Sequence, residues 1–122
     1  MPLVVCPDGT VLRNPDGGQL ASCLGLVPEF DPGHVYDVAI VGAEPAGLTA
    51  AACAASEGLS VAVSDCRAPS GQAGTSARIE NVLGFPTGIS GRALAGRAFN
   101  QAQKFGAHIA IPVEMKGLPT CA

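Results

Sequence analysis

The residues best suited to chemistry lie between positions 42 and 65. Gly42-Ala43-Glu44-Pro45-Ala46-Gly47 has the spacing G-x-G-x-x-G except for its middle glycine. In such a loop the first glycine makes a tight turn and the last lets a helix pack close to a strand. The helix N-terminus then points unpaired N–H groups at a pyrophosphate. An acidic residue about 20 positions further on meets ribose hydroxyls, and Asp65 stands where that requires. Glu44 is the departure. It adds bulk and a negative charge where a bare backbone lets phosphate approach. At ~5 Å and an effective dielectric of about 20, one carboxylate–phosphate pair repels by roughly 3 kcal/mol. That is a loss on the order of a hundredfold in affinity. The other reading is that Glu44 swings into water and is tolerated, with salt screening its charge.

The elements around this loop are those needed to position it. Val35 to Val41 is a short apolar run ending in Gly42, as expected of a buried parallel strand. Pro45 to Ser56 reads as an Ala-rich helix, with Pro at its first turn and Gly58 as its C-terminal stop. Leu59 to Ser64 is a second buried strand, and a Gly/Ser/Ala-rich loop runs from Ala68 to about Gly88. Ser90 caps a helix over Gly91–Phe105 with an apolar face that includes Leu94, Ala98, Ala102 and Phe105. His108 to Ile111 is a third strand, ended by Pro112. The order β-α-β-loop-α-β predicts a parallel sheet with right-handed crossovers.

Ahead of this unit, Leu3-Val4-Val5 and Thr10-Val11-Leu12 read as a hairpin turned at Pro7-Asp8-Gly9. Gln19 to Leu26 is a short helix. Two strands and a helical stub do not bury enough surface to stand alone. Residues 28–34 carry two prolines and a glycine and read as a linker. The expected domains are therefore 1–27, a linker at 28–34, and 35–122.

Composition narrows the function classes. Of 122 residues, 48% are hydrophobic and 14% charged, which argues against disorder. A net charge of −3 offers no basic footprint for nucleic acid. No apolar run reaches the roughly 18 residues of a membrane span. The N-terminus lacks a positively charged secretory n-region, so a cytoplasmic location is expected. The five cysteines, Cys6, Cys23, Cys53, Cys66 and Cys121, show no C-x-x-C and no zinc spacing. They read as small apolar residues, with no disulfide expected and no metal site. His34 and His108 show no partner constellation and take no role.

The segment Tyr36 to Leu48 resembles the FAD fingerprint of the thioredoxin reductase-like flavoproteins. Ser70-Gly71-Gln72-Ala73-Gly74 is similar to that family's G-G-Q loop, and Glu80-Asn81-Val82-Leu83-Gly84-Phe85-Pro86 to its E-N-x-x-G-F-P motif. The resemblance covers about residues 35–117. It implies an α/β, incomplete Rossmann-like FAD/NAD(P)-binding three-layer fold with a parallel sheet. It also implies that Gly42, Ala43, Pro45, Ala46 and Gly47 cradle the FAD pyrophosphate, with Glu44 in the same loop. By the same resemblance Asp65 holds the adenosine ribose, Gln72 and Asn81 lie against the flavin and ribityl chain, and Gly71 is a further cofactor-binding residue. Residues 2–27 resemble the last part of a thioredoxin fold, a short ββα piece with Pro2 where that fold keeps a cis-proline.

In the family, electrons pass from NADPH through the flavin to a redox C-x-x-C and then to thioredoxin or a similar partner. This sequence has no C-x-x-C and no second dinucleotide fingerprint, and Glu44 replaces a glycine. The expectation is the FAD-binding portion of a thioredoxin-disulfide reductase-like oxidoreductase, inactive as an isolated chain, with no residue assigned a catalytic role. Cys66 lies at the adenosine end and is not expected to be catalytic. The alternative is a non-enzymatic remnant or weak dinucleotide-binding module. Asp65 suits FAD or NAD, and Arg67 suits the 2′-phosphate of NADP. NADPH and a thioredoxin-like partner are expected only for the full-length family.

Overall fold

The computed structural model describes residues 1–67 and 71–117. Ala68, Pro69 and Ser70, the last of these in the G-G-Q-like loop, lie outside the described residues, as do positions 118–122 with Cys121.

The α/β unit begins with β3 (Val38–Val41), shorter than the predicted run from Val35. Then come α2 (Pro45–Ser56), β4 (Val61–Ser64), a 3₁₀ turn (Gly71–Thr75), α3 (Gly91–Lys104) and β5 (His108–Ala110). The second helix has the predicted bounds, because its signals are local. Pro45 presets the first turn, Ala dominates the body, and Gly58 follows the end at φ 87°. The 3₁₀ turn falls within the stretch that reads as loop in the sequence.

The sheet is parallel with order β3-β4-β5. Val38 pairs with Val61, and Val63 with Ile109. Two successive right-handed crossovers in the same direction put both connecting helices on one face. The core lies there: Leu48, Ala51 and Ala55 of α2 and Ala102 of α3 meet Val61, Val63 and Ile109. Every residue of β4 is buried, as befits the central strand. On the opposite face Ala62, Ser64 and Ala110 are buried as well, whereas Val41 on the edge strand β3 stays 65% exposed.

The N-terminal segment forms the predicted ββα unit. Its strands β1 (Leu3–Val5) and β2 (Val11–Arg13) pair antiparallel, and α1 (Gly17–Cys23) follows, shifted N-terminally from its predicted span. Asp16 starts that helix with a capping box. Its carboxylate accepts from the Gln19 amide at 2.7 Å, and the Gln19 side chain accepts from the Asp16 amide at 3.0 Å.

Three expectations are corrected. Cys6 and Cys23 are joined as a disulfide with Cα atoms 5.4 Å apart. The hairpin and the end of α1 bring together two thiols that no sequence spacing connects. The cis-proline expected at Pro2 is not found; the cis peptide among the described residues is Ile111–Pro112. His34 and His108 do have a constellation. The Tyr36 hydroxyl and His108 Nδ1 are hydrogen-bonded at 2.8 Å. His108 lies 5.0 Å from the Phe30 ring and His34 lies 4.5 Å from Tyr36, centroid to centroid. The linker has no regular element, yet its aromatic residues anchor it beside the sheet.

Candidate functional site

The loop after β3 has the backbone its glycines imply. Gly42 sits at φ 107°, a conformation that side chains resist, and its amide donates to Ser64 O at 2.8 Å. A Cβ on Gly47 would strike Gly42 O and lie 3.3 Å from Ile40 Cγ2, so the missing side chain lets α2 approach β3. Ala43 is fully buried. Glu44 occupies the N-cap of α2 without capping it through its side chain. Helices leave their first N–H groups without intrahelical partners. Pro45 has none, which leaves the amides of Ala46 and Gly47 turned outward in the first turn.

Asp65 follows β4 and reaches back to this loop. Its Oδ2 accepts from the Ala43 amide at 2.7 Å, and its Oδ1 accepts from the Arg67 amide at 3.0 Å. Each carboxylate oxygen keeps a further acceptor site. A cleft of about 360 Å³ opens at the C-terminal ends of β3 and β4, between Gly42, Asp65, Cys66 and the residues Val113, Glu114 and Met115. This is where open parallel sheets place ligands. Val113 donates to Asp65 O at 2.7 Å, which fixes the far wall. Sequence reasoning missed that wall; the signal available was its place directly after the third strand.

The second loop is only partly gathered in. Gly71, at φ 46°, abuts the Glu44 side chain: a Cβ there would lie 2.6 Å from both Glu44 Cγ and Cδ. Glu44 thus lies beside the Gly71 loop while remaining exposed to solvent. Gln72 is exposed in the 3₁₀ turn, where its carbonyl accepts from the Thr75 hydroxyl at 2.7 Å. Asn81 is exposed beyond the Ile79–Ile89 bridge. Among the described residues no hydrogen bond joins the Gln72 or Asn81 side chain to the first loop. No group of three His, Cys, Asp or Glu able to hold a metal ion occurs among them.

This geometry can be set beside known proteins. The thioredoxin reductase of Bacillus subtilis (strain 168) is 41% identical over 76 residues, which is 62% of this chain and 24% of that protein. The thioredoxin reductase of Treponema pallidum is 45% identical over 75 residues, again 62% of this chain and 24% of its own length. The crystal structure of T. acidophilum thioredoxin reductase superposes with a TM-score of 0.59 at 40% identity, over 65% of this chain and 25% of that one. The α/β unit is thioredoxin reductase-like. No protein-family model matches the chain. The chain spans about a quarter of the length of these relatives. The thioredoxin reductase-like unit has the fold of its neighbours: a mixed α/β structure around a three-stranded parallel sheet. Among the described residues no helix is long and apolar enough to cross a membrane.

The fit to an adenine dinucleotide divides at Glu44. The Gly42 turn, the Gly47 contact, the Asp65 carboxylate and the cleft beside it suit an adenosine diphosphate moiety. Glu44, exposed beside Gly71, is the residue that does not suit it.

Proposed function

We propose that this unit binds FAD through its adenosine diphosphate half and is the FAD-binding portion of a thioredoxin-disulfide reductase-like oxidoreductase. The hydrogen bond from Ala43 to Asp65 carries this reading, because it sets a ribose-accepting carboxylate directly beside the glycine turn. In this assignment the amides of Ala46 and Gly47 face the pyrophosphate, and Gly42 clears its approach. Asp65 accepts from the ribose hydroxyls, and Gly71, Gln72 and Asn81 line the path to the flavin. Bound FAD would supply two-electron transfer between a nicotinamide and a disulfide. The chain's own contribution is binding and orientation, and no turnover is assigned to it alone. NADPH and a thioredoxin-like partner belong to the reading of the full-length relatives.

A second reading is supported by Glu44: a non-enzymatic module that binds a dinucleotide weakly. Titration of the wild-type chain and Glu44→Gly with FAD, NAD and NADP, followed by absorbance and calorimetry, separates the two. FAD binding that is restored by Glu44→Gly supports the flavin reading. Absence of binding in both forms rejects it, and preference for NADP directs attention to Arg67.

A further inference from the structure

The ββα segment has almost no apolar core of its own. No residue of α1 is buried, and the strand side chains alternate between exposed and half-buried. Cys6, 5% exposed, is the segment's buried apolar residue. A helix of seven residues is too short to persist unaided. The covalent link from Cys6, just after β1, to Cys23, the last residue of α1, therefore does what a core would otherwise do.

The same disulfide faces a groove of about 510 Å³, lined by both Cys6 and Cys23. The charged residues on its walls are Asp8 and Asp16. Asp8 accepts from the Thr10 amide and hydroxyl, each at 2.9 Å. These bonds, the amide's first, hold its carboxyl below the usual range, so it stays charged. Asp16 is held by the Gln19 amide. An anionic thiol entering this groove meets two negative charges, and a cationic one is drawn in.

We propose that Cys6–Cys23 is a thiol–disulfide exchange site, opened through this groove by cationic or neutral thiols in preference to anionic ones, and that opening it releases α1 from the hairpin. Cys23 is half-buried and Cys6 buried, so the incoming thiolate attacks Cys23 Sγ. A mixed disulfide forms there as the Cys6–Cys23 bond breaks. The electron pair leaves on Cys6 Sγ, which takes a proton from water. A second molecule of the thiol then attacks the mixed disulfide and releases Cys23 as a thiol. In sum, two small thiols are oxidised to one disulfide, and Cys6 and Cys23 are reduced.

The test uses the whole chain and three reagents at equal thiolate concentration: cysteamine, 2-mercaptoethanol and 2-mercaptoethanesulfonate. Alkylation with peptide mapping reads Cys6 and Cys23 apart from the other cysteines. At low salt, cysteamine should open the bond on the order of tenfold faster than the sulfonate. The spread should shrink to about twofold at high salt. It should shrink likewise in the Asp8→Asn/Asp16→Asn variant, where α1 keeps its cap because asparagine caps a helix about as well as aspartate. Equal rates at low salt, or a spread that survives in that variant, overturn the groove's role. A mixed disulfide trapped on Cys6 overturns the direction of attack.

Hydrogen exchange of Cys6→Ser/Cys23→Ser tests the release. The amides of Leu20 and Leu24, bonded at 3.0 Å to Asp16 O and Leu20 O, should lose protection while α2 and α3 keep theirs. Protection retained at α1, or lost throughout the chain, overturns it.

Discussion

The Glu44 side chain lies against Gly71, and the contact joins the glycine loop after β3 to the 3₁₀ turn. The carboxylate stands at the N-cap of α2 without hydrogen-bonding that turn, so it would set a negative charge beside a phosphate bound there. Glu44→Gly should tighten FAD or ADP binding on the order of a hundredfold. Glu44→Gln keeps the bulk and removes the charge, and should recover most of that gain. Calorimetric titration of the three proteins checks both, and identical affinities would show that the carboxylate does not oppose the ligand.

Gly47 and Gly96 form a contrasting pair of helix glycines. A Cβ at Gly47 collides with Gly42 O, whereas one at Gly96 meets nothing within 4 Å. Gly47→Ala should destabilise the unit by about 1–3 kcal/mol, because α2 has to shift away from β3. Gly96→Ala should stabilise it by about 0.5–1 kcal/mol through helix propensity and a less flexible unfolded chain. Urea denaturation of both variants reads the opposite signs.

Asp65 holds the amides of Ala43 and Arg67 at once. Asp65→Ala leaves the amide of Ala43 without that acceptor, at a cost of about 1–3 kcal/mol. It should also weaken adenine dinucleotide binding at least tenfold. Full retention of binding would separate Asp65 from the ribose.

Asp37 closes the other end of the sheet. Its Oδ2 accepts from both the amide and the hydroxyl of Ser60 at 2.8 Å. The Ser60 amide first, and then the hydroxyl, hold the Asp37 carboxyl below its ordinary value of 3.8. A carboxyl lowered in the folded state contributes stability above its unfolded pKa and loses it as pH falls through the folded one. The contribution should therefore be complete near neutrality and disappear below about pH 3.8. Stability measured against pH should fall less steeply in that acid range for Asp37→Asn than for the wild type. Superimposable slopes would show that the Ser60 contacts do not favour the charged form.

The elements that could be read along the chain are those specified by neighbours in sequence. Pro45, the alanines that follow and Gly58 determine α2 from its first residue to its stop. The apolar run Val61–Val63 makes a central strand, and Gly42 marks the turn, because only glycine takes that backbone easily. Strand ends were less legible: Val35 and Leu59 continue the apolar runs, but pairing stops short of them.

Tertiary structure alone decided which distant groups meet. Nothing local brings Cys6 to Cys23, Tyr36 to His108, or Val113 over Asp65. Nor does local sequence say that the exposed Glu44 side chain lies beside Gly71. Backbone conformation follows from sterics and hydrogen bonding within a few residues, so sequence carries it. The direction of a side chain and the partner of a thiol or imidazole depend on what the folded sheet brings alongside.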